Sequence, residues 1–191
     1  MGDGDGQAGR AGRIELICGC MFSGKSERLI ERIRQARSTG IRVAAFKHAS
    51  DDRYANTQIV THSGLREPAY PVASPERIAE LAGNAAMILI DEVQFFGADL
   101  APTCEQLAEQ GCEMVLAGLD RNARGEPFGS MPEIEQLADS VTRVRAVCAK
   151  CGKPAEFSQR ITPVEDGKMI GGAESYEPRC ADCFDPNTIE A

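Results

Sequence analysis

Residues 13–18 (RIELIC) form a short apolar run that stops at GCMFSGKS. After it, Leu29, Ile30, Ile33 and Ala36 recur at helical spacing. The pattern predicts strand, glycine-rich loop and helix. Gly40 then breaks the helix, and residues 41–46 (IRVAAF) supply a second strand that completes a βαβ unit. Residues 47–69, rich in Asp, Ser, Thr, Asn and His, show no period and read as a long polar loop of the kind that often carries function. Ser74 and Pro75 mark a helix start, with Ile78, Ala79 and Leu81 on one side and an end near Gly83. Residues 87–90 (MILI) read as a fully buried strand ending at Asp91-Glu92. A helix over about 98–110 leads to a strand over 113–117. A glycine-rich loop fills 118–131, a short helix 132–138, and a last strand 141–147. Strands alternating with helices predict an α/β fold with a parallel sheet flanked by helices. From Cys148 the helical period is lost and cysteine and proline become frequent, so a boundary falls near residue 147.

Charge and cysteine usage narrow the function classes. Of 191 residues, 21 are Lys or Arg and 29 are Asp or Glu, a net charge of -8 that poorly matches a phosphate backbone. Aromatics make up 5% with no Trp, which disfavours stacking platforms for single strands, so no nucleic-acid partner is expected. The longest apolar run, 85–90, is far short of the roughly 20 residues needed to cross a bilayer, so no membrane partner is expected either. The opening MGDGDGQAGRAG lacks the basic start and apolar centre of a secretory signal. The expected organisation is a disordered tail over 1–12, a P-loop domain over 13–147, a metal-binding domain with a lasso-like excursion over 148–184 and a flexible tail over 185–191, in a cytoplasmic protein. Eight cysteines in that compartment point to metal or catalysis before disulfides.

Residues 19–26 fit G-x-x-x-x-G-K-[ST] between a strand and a helix. Backbone N–H groups and the helix N-terminus there cradle di- and triphosphate oxygens, Lys25 reaches the β- and γ-phosphates, and Ser26 holds Mg²⁺. Asp91, where a buried strand ends, is placed to hold that ion directly or through water. Glu92 beside it remains for another task, such as taking a proton from an attacking hydroxyl, although a DE pair can also merely end a buried strand in solvent. Arg53 in a loop near a P-loop can stabilise charge on a transferred phosphoryl group, or simply pair with Asp51 or Asp52. Cys148-x-x-Cys151 and Cys180-x-x-Cys183, 28 residues apart, can close a four-thiolate zinc site, with a redox CxxC as the competing use. The long gap predicts a hairpin or lasso between the pairs. Cys18, Cys20, Cys104 and Cys112 read as small buried hydrophobes, and His48 and His62 as solvated loop residues.

The ordered set MFSGKS (21–26), DDRY (51–54), THSG (61–64), DEVQFF (91–96), GLD with EPFG (118–120 and 126–129), the two CxxC pairs and IGGAESY (170–176) resembles the zinc-containing thymidine kinases of the cellular and bacterial type. The resemblance covers about residues 13–184. It implies ATP-dependent phosphorylation of the thymidine 5′-hydroxyl, with deoxyuridine as a further substrate, in nucleotide salvage. It puts Gly19, Cys20, Met21, Phe22, Ser23, Gly24, Lys25 and Ser26, with Asp91 and Gln94, on the ATP and Mg²⁺ side. Glu92, Lys25 and Arg53 carry the catalysis. Met21, Phe95, Leu119, Phe128, Ser158 and Met169 line the base pocket, under a lasso holding Gly167, Lys168, Ile170, Gly171 and Tyr176. Structural Zn²⁺, a homotetramer and feedback inhibition by thymidine triphosphate are also implied. Two positions depart from the family's pattern. Ala123 stands where an aromatic is usual, and Ser158 where Thr is common. The first leaves either an open wall in the pocket or a wall made by the stem of Arg121 or Arg124. Two other uses of the same motifs remain: a P-loop phosphotransferase for another small molecule, and a zinc-ribbon interaction module with a regulatory nucleotide switch.

Overall fold

A computed structural model describes residues 11–51, 57–162 and 171–187. Six parallel strands form the central sheet in the order β5-β2-β6-β7-β1-β8. They are β1 (Ile14–Cys18), β2 (Val43–His48), β5 (Tyr70–Val72), β6 (Met87–Asp91), β7 (Glu113–Gly118) and β8 (Ser140–Arg143). Side chains alternate across this sheet with period two, as the pleat requires. Leu16, Phe46, Ile88, Ile90 and Leu116 face one way, where α2 (Pro75–Ala82), α3 (Leu100–Glu109) and α4 (Met131–Leu137) cover them. Ile17, Ala45, Leu89 and Val115 face the other way, onto Leu29, Ile30 and Ile33 of α1 (Lys25–Ser38). The central strands are therefore apolar on both faces, which is why MILI carries no alternation in the sequence.

The expected polar loop over 47–69 contains a hairpin, β3 (Gln58–Val60) paired antiparallel with β4 (Arg66–Pro68), and is followed by the edge strand β5. Strands of three residues with a single buried apolar side chain, Ile59, are too short to print a period, and only tertiary packing on the α1 side reveals them. The expected strand over 141–147 is two strands. β8 pairs with β1, Val144 N donates to the Cys18 carbonyl at 2.8 Å, and the chain then leaves the sheet. Its continuation, β9 (Ala146–Val147), pairs antiparallel with β10 (Pro154–Ala155).

β9 and β10 bracket Cys148 and Cys151. A second antiparallel pair, β11 (Phe157–Arg160) and β12 (Tyr176–Arg179), leads into Cys180 and Cys183. The two hairpins are joined by Ala149 N donating to the Pro178 carbonyl and Glu156 N to the Arg179 carbonyl, at 2.9 and 3.0 Å. No helix among the described residues is long and apolar enough to cross a membrane.

Candidate active site and metal centre

The loop between β1 and α1 is shaped by its glycines. Gly19 has φ 145°, and a Cβ on it would sit 2.1 Å from the Val144 carbonyl oxygen; Gly24 precedes α1 in the left-handed region at φ 84°. Phe22 also has positive φ, a strained state for a side-chain-bearing residue. Lys25 folds back over the loop, its Nζ donating to the Cys20 carbonyl at 2.6 Å, and Ser23 Oγ donates to the same oxygen at 2.7 Å. Burial holds the Lys25 amine below its ordinary pKa, against the opposing pull of the nearby Glu92 carboxylate. Ser26 Oγ donates to Asp91 Oδ2 at 2.9 Å. The hydroxyl and carboxylate assigned to Mg²⁺ from the sequence are thus in contact. Burial, with the neighbouring Glu92 charge second, pushes Asp91 up to about 7. A buried acid driven toward its neutral form gains most from a cation, so this donor pair fits a divalent ion.

Glu92 lies one residue past β6 at φ 57°, the second non-glycine in the left-handed region. Its amide donates to Asp91 Oδ1 at 3.0 Å, and Gln94 Nε2 donates to its Oε2 at 2.5 Å. The other end of Gln94, Oε1, accepts from Leu119 N at 3.0 Å. Gln94 therefore ties the carboxylate to the end of β7, beside two cavities that share Met21, Glu92 and Leu119. One, of about 160 Å³, is lined by Ser23, Gly24, Lys25 and Ser26, and roofed by Val60, Thr61 and His62 of the hairpin. The other, of about 210 Å³, is lined by Phe95, Phe128, Ser158, Gly171 and Tyr176, with Arg121, Asn122 and Ala123. A chamber lined by the β1–α1 loop and an aromatic-lined chamber thus meet at the Glu92 carboxylate.

The four sulfurs of Cys148, Cys151, Cys180 and Cys183 all lie within 4.8 Å of one another. A tetrahedral Zn²⁺ with Zn–S near 2.3 Å sets its sulfurs about 3.8 Å apart, so the cluster has the right size. Its chemistry fits too. Burial pushes the Cys148 thiol up, but backbone amides of Cys180, Lys150 and Cys151 outweigh it and bring the thiol down to about 6. Contact with Cys151, and then burial, push Cys183 up to about 12. A cluster that ionises Cys148 easily and resists ionising Cys180 and Cys183 is completed by a divalent cation. Cys18 and Cys104, pushed up by burial to about 11 and about 12, remain protonated thiols packed as small hydrophobes.

A family model described as thymidine kinase matches residues 12–184. The chain belongs to the thymidine kinase family. A thymidine kinase from Rhodothermus sp. (strain ITI 518) is 46% identical over 178 residues, 93% of this chain and 84% of that one. Among solved structures, the replication initiator DnaA bound to AMPPCP and single-stranded DNA is 15% identical, with a TM-score of 0.44 over 70% of this chain and 40% of that one. As a thymidine kinase the chain is a phosphotransferase that handles a nucleotide and a nucleoside.

For this kinase the sequence-derived set divides plainly. Lys25, Ser26, Asp91, Glu92 and Gln94 are brought together, as are Met21, Phe95, Leu119, Phe128, Ser158, Gly171 and Tyr176. Cys20 faces away from the phosphate chamber, into the core beside Cys148 and Cys180, although its carbonyl lies on the loop's inner side. Arg53, Gly167, Lys168, Met169 and Ile170 lie outside the described residues, as do most of the two expected tails. Asp51, one of the partners considered for Arg53, pairs at 2.8 Å with the buried Lys47. Ala123 is only 5% exposed, packed with Met21 and Tyr176, so it is a small wall rather than a gap. Arg124 is exposed and outside the lining. Arg121 lines the chamber but sets its guanidinium over the Phe157 ring, 4.8 Å from the centroid. Sequence reasoning missed the roof residues Val60, Thr61 and His62 and the wall residue Asn122. The THSG turn was the signal for the first, and nothing short of packing marks the second. His62 is exposed, as expected, with its ring tilted against Phe22 at 4.6 Å between centroids, whereas His48 is half-buried and meets the Phe96 edge at 4.7 Å.

Proposed function

We propose that the chain transfers the γ-phosphoryl group of ATP to the 5′-hydroxyl of thymidine and of deoxyuridine, the phosphates lying in the P-loop chamber and the base in the aromatic one. The observation that carries this reading is Glu92, held by Gln94 on the boundary shared by both chambers. A carboxylate there reaches a hydroxyl entering from the apolar side and a phosphoryl group entering from the polar side. Glu92 orients the 5′-hydroxyl and accepts its proton as the new P–O bond forms, while the bond to ADP breaks. Lys25 moves from the Cys20 carbonyl to the phosphates and balances their charge, and Arg53, assigned by family resemblance, assists on the same group. Ser26 and Asp91 would hold Mg²⁺, which supplies charge neutralisation on the donor phosphates. The four cysteines would hold a structural Zn²⁺ with no coordination position left for substrate.

Phe95, Phe128 and Tyr176 support a flat base by apolar contact, and Ser158 Oγ, which accepts from Met21 N at 2.9 Å, retains a proton to donate. Family resemblance also supports a homotetramer and feedback inhibition by thymidine triphosphate, which would span both chambers. The test is incubation of the protein with ATP, Mg²⁺ and a nucleoside panel, scored by product mass. Thymidine monophosphate and ADP in equal amounts are expected. ATP hydrolysis without a nucleoside product would overturn the reading.

A further inference from the structure

We propose that Cys20 positions the phosphate-binding loop on the four-cysteine unit, so that metal occupancy of that unit and nucleotide affinity are coupled. The inference rests on reading residues 19–26 as an ATP site. Cys20 is 2% exposed and shares one apolar cluster with Ala146, Cys148, Ala155 and Cys180, so a loop residue is part of the small core that also holds two of the four metal-site thiols. Its Sγ–H donates to the Ala155 carbonyl of β10 at 3.4 Å. The next residue repeats the attachment, Met21 N donating to Ser158 Oγ of β11. The Cys20 carbonyl, in turn, is the common acceptor of Lys25 Nζ and Ser23 Oγ. Cys20 thus has its side chain on the metal unit and its carbonyl on the group that meets the phosphates.

Coupling follows from how little else holds that unit. Its strands run two to four residues, in paired hairpins that are marginal alone, and a four-thiolate metal contributes folding free energy outright in such small units. Without the metal, Ala155 and Ser158 no longer present fixed partners, and Cys20 and Met21 lose both attachments together. The loop's N–H groups must then be ordered by the nucleotide itself, which weakens binding. Linkage makes the effect reciprocal, so bound nucleotide tightens the metal by the same factor.

The test measures equilibrium binding of a fluorescent ATP analogue with Mg²⁺ and no nucleoside. The full chain is compared zinc-loaded and after chelation, with the chelator removed and Mg²⁺ restored, for the native protein and Cys20→Ala. Removal of zinc should weaken native binding about fivefold or more, the lower end of typical couplings. Loaded Cys20→Ala should already bind more weakly, and zinc removal should weaken it by a smaller factor than it weakens the native chain, because only the Met21 attachment is left to lose. Equal native affinity with and without zinc overturns the coupling, and fully additive effects overturn its assignment to Cys20. If circular dichroism shows that the chelated chain has lost its sheet, the reciprocal measurement decides. Zinc affinity of the loaded protein, read by competition with a chromogenic chelator, should tighten with the ATP analogue in the native chain and by a smaller factor in Cys20→Ala. No tightening overturns the proposal. A loaded chain that binds no nucleotide overturns the ATP-site reading and this inference with it, whereas metal-independent binding overturns this inference alone.

Discussion

Glu92 and Asp91 are adjacent carboxylates in different surroundings, and that difference separates the tasks proposed for them. Glu92 is held in a left-handed backbone conformation and hydrogen-bonded by Gln94, a cost that makes sense where a side chain must point at a reacting group. Glu92→Gln should lower kcat on the order of 10² to 10⁴-fold while leaving the nucleotide Kd nearly unchanged, because only proton acceptance is lost. Steady-state rates with parallel nucleotide titrations check this, and unchanged turnover would remove Glu92 from the chemistry. Asp91 titrates instead. Its ordinary value of 3.8 rises to about 7 through burial and the Glu92 charge. Between those values the unfolded chain has released a proton that the folded chain keeps, so the magnesium-free fold loses stability as pH rises from about 4 to about 7. Mg²⁺ binds the ionised form, so its affinity should rise over the same range with release of a proton. Asp91→Asn should flatten this part of the stability profile and leave the magnesium-free protein more stable than native at pH 8. Thermal unfolding at pH 5 and 8 decides, since matching native and variant profiles would contradict the shifted acid.

The β1–α1 loop depends on a single close approach, that of Gly19 to the Val144 carbonyl beyond β8. Gly19→Ala must move one backbone away from the other and hold alanine at φ 145°, so it should destabilise by about 3 kcal/mol or more and weaken nucleotide binding. A Tm and an ATP-analogue titration test both, and a variant with native values would mean that β8 can shift at no cost. This loop was the most readable part of the sequence, because GCMFSGKS combines a turn glycine, a helix start and a phosphate lysine in eight residues. Leu29, Ile30, Ile33 and Ala36 gave α1 for the same local reason, and the period of α2 and the run MILI gave their elements. Non-local structure was not readable. β3 and β4 exist through Ile59 packing on the α1 side and through the turn at Thr61, whose Oγ1 accepts from Leu65 N at 3.0 Å. The break between β8 and β9 depends on a hydrogen bond from Val144 to Cys18, distant in sequence. At the site, residue types announced Lys25, Ser26 and Asp91. The bridge from Glu92 through Gln94 to Leu119 joins two strand ends that only the folded sheet brings together.

The aromatic-lined chamber is built by both parts of the chain. The sheet unit contributes Met21, Phe95, Leu119 and Phe128, and the cysteine-bearing unit contributes Ser158, Gly171 and Tyr176. These walls rest on unequal supports. The sheet buries apolar side chains on both faces, whereas the second unit has two short hairpins, the thiol cluster and the buried bond from Arg160 Nη1 to Tyr176 Oη at 2.9 Å. Tyr176→Phe leaves the Arg160 guanidinium short of an acceptor inside the protein, so it should cost about 1 to 3 kcal/mol, read as a lowered Tm, and loosen the wall that Tyr176 forms. Metal loss acts on the whole unit. Chelation, or Cys183→Ser, should remove three residues of the chamber wall while the six-stranded sheet persists, because each part depends on a different source of burial. Thymidine binding, followed by calorimetry, should therefore fall at least tenfold under conditions where far-UV circular dichroism and the main unfolding transition still report the sheet. The order is diagnostic: if thymidine binds the metal-free chain with native affinity, the base is held by the sheet unit alone, and Ser158, Gly171 and Tyr176 only border the chamber.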